Sequence, residues 1–182
     1  MESISLPRSL QAGSYLLRLP EPGDEAAVVA VCQDPEIARW TTVPSPYGPD
    51  EFLQYLEISA AGWGTRSGLH VLAFEGDRLV ASVAASTLDW GGETAEIGYY
   101  AAPAARRSGS TTAVVAALCD WLFATGFVRL QAEVLFGNVA SARLLTRLGF
   151  VHEGTMASVA AGTCGDGSDR VDIELWARTA DG

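Results

Sequence analysis

A chain of 182 residues with 48% hydrophobic content and a formal net charge of −10 can bury one substantial core, and it is too acidic to favour a nucleic-acid backbone as its partner. No apolar run reaches the length of a membrane span, and segment 1–10, with Glu2, Pro7 and Arg8, lacks the apolar stretch of a signal peptide. Cys32, Cys119 and Cys164 are odd in number and far apart, which points to free thiols in a reducing cytoplasm, and His70 and His152 are too scattered for a metal site.

Residues 1–13 read as an N-terminal extension and 179–182 as a tail around a single domain. Tyr15 to Leu19 predicts a first strand. Pro22-Gly23-Asp24 then starts a helix with Ala27, Val28 and Val31 on its apolar face, and Asp34-Pro35 breaks it ahead of a short helical turn over Glu36 to Trp40. Thr41 to Pro49 is a Pro-rich loop, and Asp50 to Gly62 is helical again. Leu69 to Phe74 and Leu79 to Leu88 are strands joined by the hairpin signal Glu75-Gly76-Asp77, and Glu93 to Ala101 is the next strand. Val114, Ala117, Leu118, Trp121 and Leu122 recur at the spacing of a helix packed on a sheet. Val128 to Leu135 is a strand. Asn138 then suits a helix N-cap, Leu144, Leu145 and Leu148 follow at helical spacing, Arg143 and Arg147 sit one turn apart, and Gly149 ends the helix. Phe150 to Ala160 and Arg170 to Ala177 predict a closing hairpin around a Gly-rich turn, Gly162 to Ser168. Its Asp166 and Asp169 are too sparse for a calcium loop. The sum is an α/β fold with about seven strands in a mixed, mostly antiparallel sheet and helices on both faces.

Four pieces of this chain carry a family likeness in combination: Glu96-Ile97-Gly98-Tyr99, then Ala102-Pro103, then Arg106-Arg107-Ser108-Gly109-Ser110-Thr111-Thr112, then Asn138 to Phe150. From about Ser14 to Ala177 the chain resembles the GNAT superfamily of acyl-CoA-dependent N-acyltransferases, and the order and spacing most resemble its RimJ/RimL branch. The resemblance implies acetyl-CoA as co-substrate and no metal. It implies that backbone amides from about Arg107 to Thr112 bind the pyrophosphate, with Arg106 and Arg107 supplying positive charge there, that Tyr99, Tyr100 and Ala101 lie along the pantetheine arm, and that Asn138, Ser141 and Arg143 contact the cofactor. Two positions depart from the family pattern: Arg107 stands where a glycine is common, and the β-branched Thr111 stands at a small position.

The implied reaction is attack of a neutral amine on a thioester. Glu96, on the strand before the phosphate turn, is the candidate base. Ser141 is the candidate donor to the departing sulfur rather than a nucleophile, since no His–Asp pair accompanies it. Other GNAT branches place a tyrosine acid four residues later, where this chain has Leu145. Trp40, Tyr47, Trp63, His70 and Trp90 are candidates for the acceptor site, as aromatic packing for an amine or its cation. The expected acceptor is a protein N-terminus or a small-molecule amine, with no nucleic-acid or membrane partner, in a cytoplasmic monomer or homodimer. The alternatives are a catalytically weak acyl-CoA-binding module, suggested by Arg107 and Thr111, and the same fold using a longer donor such as succinyl-CoA.

Overall fold

In the computed structural model, which describes residues 7–161 and 170–181, the chain begins with two short strands, β1 (Ser9–Ala12) and β2 (Tyr15–Arg18). Three helices follow: α1 (Glu25–Cys32), α2 (Pro35–Trp40) and α3 (Pro49–Thr65). Strands β3 (Leu69–Glu75), β4 (Arg78–Asp89) and β5 (Thr94–Ala101) lead to α4 (Ser110–Ala124), then β6 (Arg129–Leu135) and α5 (Val139–Arg147). Strands β7 (Val151–Ala161) and β8 (Arg170–Thr179) close the chain. The expected turn at Gly162 to Ser168 lies outside the described residues.

All eight strands form one sheet, in the order β1-β2-β3-β4-β5-β6-β8-β7. The sheet has one strand more than the sequence pattern predicts. Ser9–Ala12, read as part of an extension, pairs with β2 instead, in a register from Ser9↔Arg18 to Ala12↔Tyr15. Only β5 and β6 are parallel neighbours, because α4 carries the chain back across the sheet between them.

Period-2 alternation assigns the two faces. Leu69, Val71 and Ala73 of β3 join the core under α4, with Val114, Val115, Leu118 and Leu122. Leu72 and Phe74 point the other way, to Val28 and Cys32 of α1, Phe52 of α3 and Tyr47. Helices therefore cover both faces, as the apolar spacing requires.

One irregularity shapes the functional region. Strand β5 pairs with β4 along its whole length, from Asp89↔Thr94 to Ala81↔Ala101. Its pairing with β6 stops after Glu96↔Gln131, although β6 runs on beside β8 to Leu135↔Ile173. A bulge in β4 between Ala85 and Thr87 lies opposite Ile97 and Glu96, at the point of divergence. A bulge bends its strand and raises the local twist. Strands β5 and β6 thus splay apart beyond Glu96.

Candidate active site

The splay opens a cleft of about 480 Å³, within the range of small-molecule sites. Its walls are Ile97–Ala101 of β5, Ala132–Val134 of β6, the start of α4, the exposed face of α5, and α2. Beyond Glu96 the edge of β5 that faces β6 has no strand partner, so its main-chain groups are open to a ligand with amides of its own. Tyr99, Tyr100 and Ala101, all chosen from the sequence, lie along this edge.

The phosphate-type turn sits at one end. Gly109 is the N-cap of α4 in a left-handed conformation, φ +87°, which glycine adopts without strain. The first-turn amides of Thr111 and Thr112 have no intrahelical acceptor and carry the positive end of the helix dipole. Ser108 and Ser110 are different. Their hydroxyls accept no place in the cleft lining but bond the Ala105 carbonyl at 2.7 and 3.2 Å, and Ser108 Oγ also takes the Ser110 N–H at 3.2 Å. Their side chains brace the turn, while Arg107, Gly109, Thr111 and Thr112 line the cleft.

The two arginines before the turn have separate fates. Arg106 makes a two-pronged bond to Asp34, at 2.8 and 3.2 Å. The Arg106 guanidinium holds the Asp34 carboxyl below its usual range. Asp34 also caps α2 by accepting the Glu36 N–H at 2.9 Å. Arg106 thus ties the phosphate turn to the helix that carries Trp40, and most of its charge is spent on Asp34. Arg107 takes the left-handed conformation itself, φ +63°, at the position where the family commonly has glycine.

At the other end, Asn138 caps α5 by accepting the Ser141 N–H at 3.1 Å. Ser141, thus placed at the first turn, meets Tyr99 of β5 across the cleft: the two hydroxyl oxygens are 2.7 Å apart. Burial pushes the Tyr99 phenol up to about 12. A tyrosine hydroxyl is therefore present beside Ser141 after all, delivered by β5 rather than by α5. Arg143 and Arg147 continue along the exposed face of α5 into the cleft lining; Arg147 and the carboxylates Glu36 and Glu133 were not among the residues chosen from the sequence.

Glu96 is half-buried and does not line the cleft. Alternation turns it to the opposite face of β5 from Tyr99. There Ser86, the bulged residue, donates to its Oε1 at 3.3 Å.

Of the five acceptor candidates only Trp40 lines the cleft, where Glu36 accepts its Nε1–H at 3.0 Å. Tyr47 is buried in the core cluster of α1 and α3, with 7% of its surface exposed. His70 packs its ring edge-on against Tyr55, centroids 6.1 Å apart, and burial lowers its pKa. Trp90 follows β4 at the closed end of the strands, tilted against Phe127 with ring centroids 4.9 Å apart and its Nε1–H donated to the Arg66 carbonyl at 2.7 Å. Trp63, at the end of α3, packs against the core under Arg8. These four pack away from the cleft, since the hydrophobic effect draws rings inward where the sheet has no gap. Cys32 and Cys119 are buried free thiols, each pushed up by burial. Among the described residues no helix is long and apolar enough to cross a membrane, and no group of three or more His, Cys, Asp or Glu is placed to hold a metal.

Residues 15–151 match the acetyltransferase (GNAT) domain family, and the chain belongs to it. An uncharacterized N-acetyltransferase of Bacillus subtilis, YoaA, is 25% identical over 150 residues, covering 81% of this chain and 85% of that protein. A ribosomal α-N-protein acetyltransferase, RimL, solved with coenzyme A, superposes with a TM-score of 0.86 at 16% identity, covering 95% of this chain and 98% of its own. RimJ of Mycobacterium smegmatis, in complex with a CoA-disulfide, gives 0.83 at 22% identity, covering 95% and 86%. These last two likenesses establish a shared fold. Membership of that family makes the chain an acetyltransferase.

Proposed function

We propose that this GNAT acetyltransferase holds acetyl-CoA in the gap between β5 and β6 and passes the acetyl group directly to an α-amino group, in a complex containing both substrates. The residues present suit that ligand. Helix-start amides at Thr111 and Thr112 fit a diphosphate. The unpaired edge of β5 fits the two amides of a pantetheine arm as an added strand.

The observation that carries the reading is the Tyr99–Ser141 contact of 2.7 Å facing the cleft. Bound acetyl-CoA supplies an activated carbonyl and a sulfur leaving group. A thiol of pKa near 8.5, by analogy with cysteine, departs readily and needs only mild stabilisation. A phenol is a stronger donor than an aliphatic alcohol, so Tyr99 donates to Ser141 Oγ. The Ser141 proton is then left free for the sulfur. Burial keeps Tyr99 protonated and fit for this role at neutral pH.

The gap also makes the acyl carbon reachable from the face opposite the cofactor, where Glu96 lies. At pH 7 an α-amino group of pKa 7.7–8.0 is about a tenth neutral or more, whereas a lysine near 10.4 is almost wholly protonated. Glu96 stands back from the cleft and acts through water, which favours the α-amine. RimL, which shares the fold, is named as a ribosomal L7/L12 α-N-protein acetyltransferase, and a Salmonella typhimurium neighbour of the same fold as one that modifies the N-terminal serine of that protein. The test is thiol release from acetyl-CoA with peptides bearing a free α-amine, with the same peptides α-blocked but carrying lysine, and with polyamines. Turnover confined to free α-amines is expected. Bound acetyl-CoA with no turnover on any α-amine would overturn the reading.

A further inference from the structure

Helix α2 has six residues, fewer than a helix needs to persist alone in water, so its place is set by what it is fastened to. Glu36, Ile37, Trp40 and the C-cap Thr41 fall on one face at helical spacing, and all four line the cleft. Ile37 is buried yet belongs to neither core cluster, so its side chain serves the cleft wall. At the first end of α2 the N-cap Asp34 is fastened to Arg106, ahead of the turn that starts α4. At the last end Trp40 reaches the turn that starts α5. Its Cη2 stands 4.0 Å from the point where a side chain on Gly137 would begin, and Gly137 holds φ at +89°, a conformation suited to glycine. Helix α2 is thus a strap across the cleft, from one helix start to the other.

The Trp40 ring is itself held in place. Glu36 accepts its Nε1–H at 3.0 Å, and the Arg39 guanidinium lies over it, 4.7 Å from the ring centroid. With its polar edge and one face already occupied, the ring is a poor cage for an acceptor's ammonium group and a good fixed apolar cover. Gly137 directly precedes Asn138, whose cap sets the turn that presents Ser141, so the cover stands at the thioester end of the cleft. A thioester activated at its sulfur is open to water as well as to an amine. Water adds to the acyl carbon, the C–S bond breaks, and one water proton goes to the departing sulfur, leaving acetic acid and free coenzyme A. We propose that Trp40 screens the bound thioester from bulk water, so that the acetyl group is kept for the amine. This inference rests on the cofactor site proposed above.

Thiol release from acetyl-CoA with no amine present tests it, in wild type, Trp40→Ala and Trp40→Phe, beside the calorimetric Kd of each for acetyl-CoA. Trp40 is half-buried and lies outside both core clusters, so the variants keep the fold, which a thermal melt verifies. Trp40→Ala is expected to hydrolyse acetyl-CoA about tenfold faster than wild type or more, with saturation near its Kd, because the cover is gone while the site remains. Trp40→Phe keeps a ring beside Gly137 and should stay within about threefold of wild type. A Trp40→Ala rate equal to that of wild type would overturn the screen, and so would an equal rise in both variants. Should Trp40→Ala prove unstable, Trp40→Leu takes its place, with the same rise expected and the same absence of a rise decisive. Failure of wild type to bind acetyl-CoA would instead remove the cofactor site, and the screen with it. The assay contains no acceptor, so its outcome does not depend on which amine the enzyme uses.

Discussion

Removing one oxygen, in Tyr99→Phe, separates a relay from two independent hydroxyls. The Tyr99–Ser141 bond of 2.7 Å joins neutral groups, for which the net worth is about 0.5–1.5 kcal/mol, or roughly two- to tenfold in rate. A hydrogen bond from Ser141 to a sulfur gathering negative charge belongs to the stronger class, about 1.5–3 kcal/mol, or roughly 10- to 100-fold. Ser141→Ala should therefore lower kcat by the larger factor and Tyr99→Phe by the smaller. In the double variant Tyr99→Phe should add almost nothing, because the hydroxyl it orients is gone. The assay is kcat and kcat/KM for thiol release with one peptide acceptor, beside the Kd for acetyl-CoA from calorimetry, which should hardly move. If Tyr99→Phe slows the Ser141→Ala protein as much as it slows wild type, the phenol does not act through Ser141 and the relay is wrong.

Two further substitutions probe strain and titration. Arg107 holds φ at +63°, so Arg107→Gly should be more stable toward urea than Arg107→Ala by about 1 kcal/mol, the cost of placing a Cβ in the left-handed region; equal stabilities would mean the turn relaxes. His70 has its pKa lowered from 6.5 by burial, so the unfolded chain binds the proton more readily than the folded one. Its contribution is fully present above pH 6.5 and is lost as pH falls through the lowered value. His70→Phe, which keeps a ring against Tyr55, should flatten urea stability between pH 6.5 and 5, and an unchanged slope would assign that loss to other groups.

The Arg106–Asp34 pair gives the cleft a mechanical link. One residue precedes the turn at the start of α4 and the other caps the helix bearing Trp40, so the pair joins two walls of the cleft. In sequence, Arg106 stands at the head of the cofactor turn beside Arg107, with nothing to mark it as paired. Its partner is 72 positions away, and no local pattern marks Asp34 as anything more than a helix cap.

What the sequence determines by itself is local. Asn138 as cap, Leu144, Leu145 and Leu148 at helical spacing, and the glycine after them specify α5 without reference to the rest of the chain, since capping and periodicity act within a few residues. The alternation in β3 likewise fixes two faces, and so helices on both sides of the sheet. The cleft is a different matter. It exists because β5 follows a bulged β4 while β6 follows β8, and this choice of neighbours is made by the whole sheet at once. The meeting of Tyr99 with Ser141 and the place of Glu96 on the other face of β5 follow from that divergence, whereas Tyr47 is buried, and Trp63 and Trp90 partly buried, away from it. An aromatic ring reads the same in sequence whether it fills a core or borders a gap; only the path of the strands decides which.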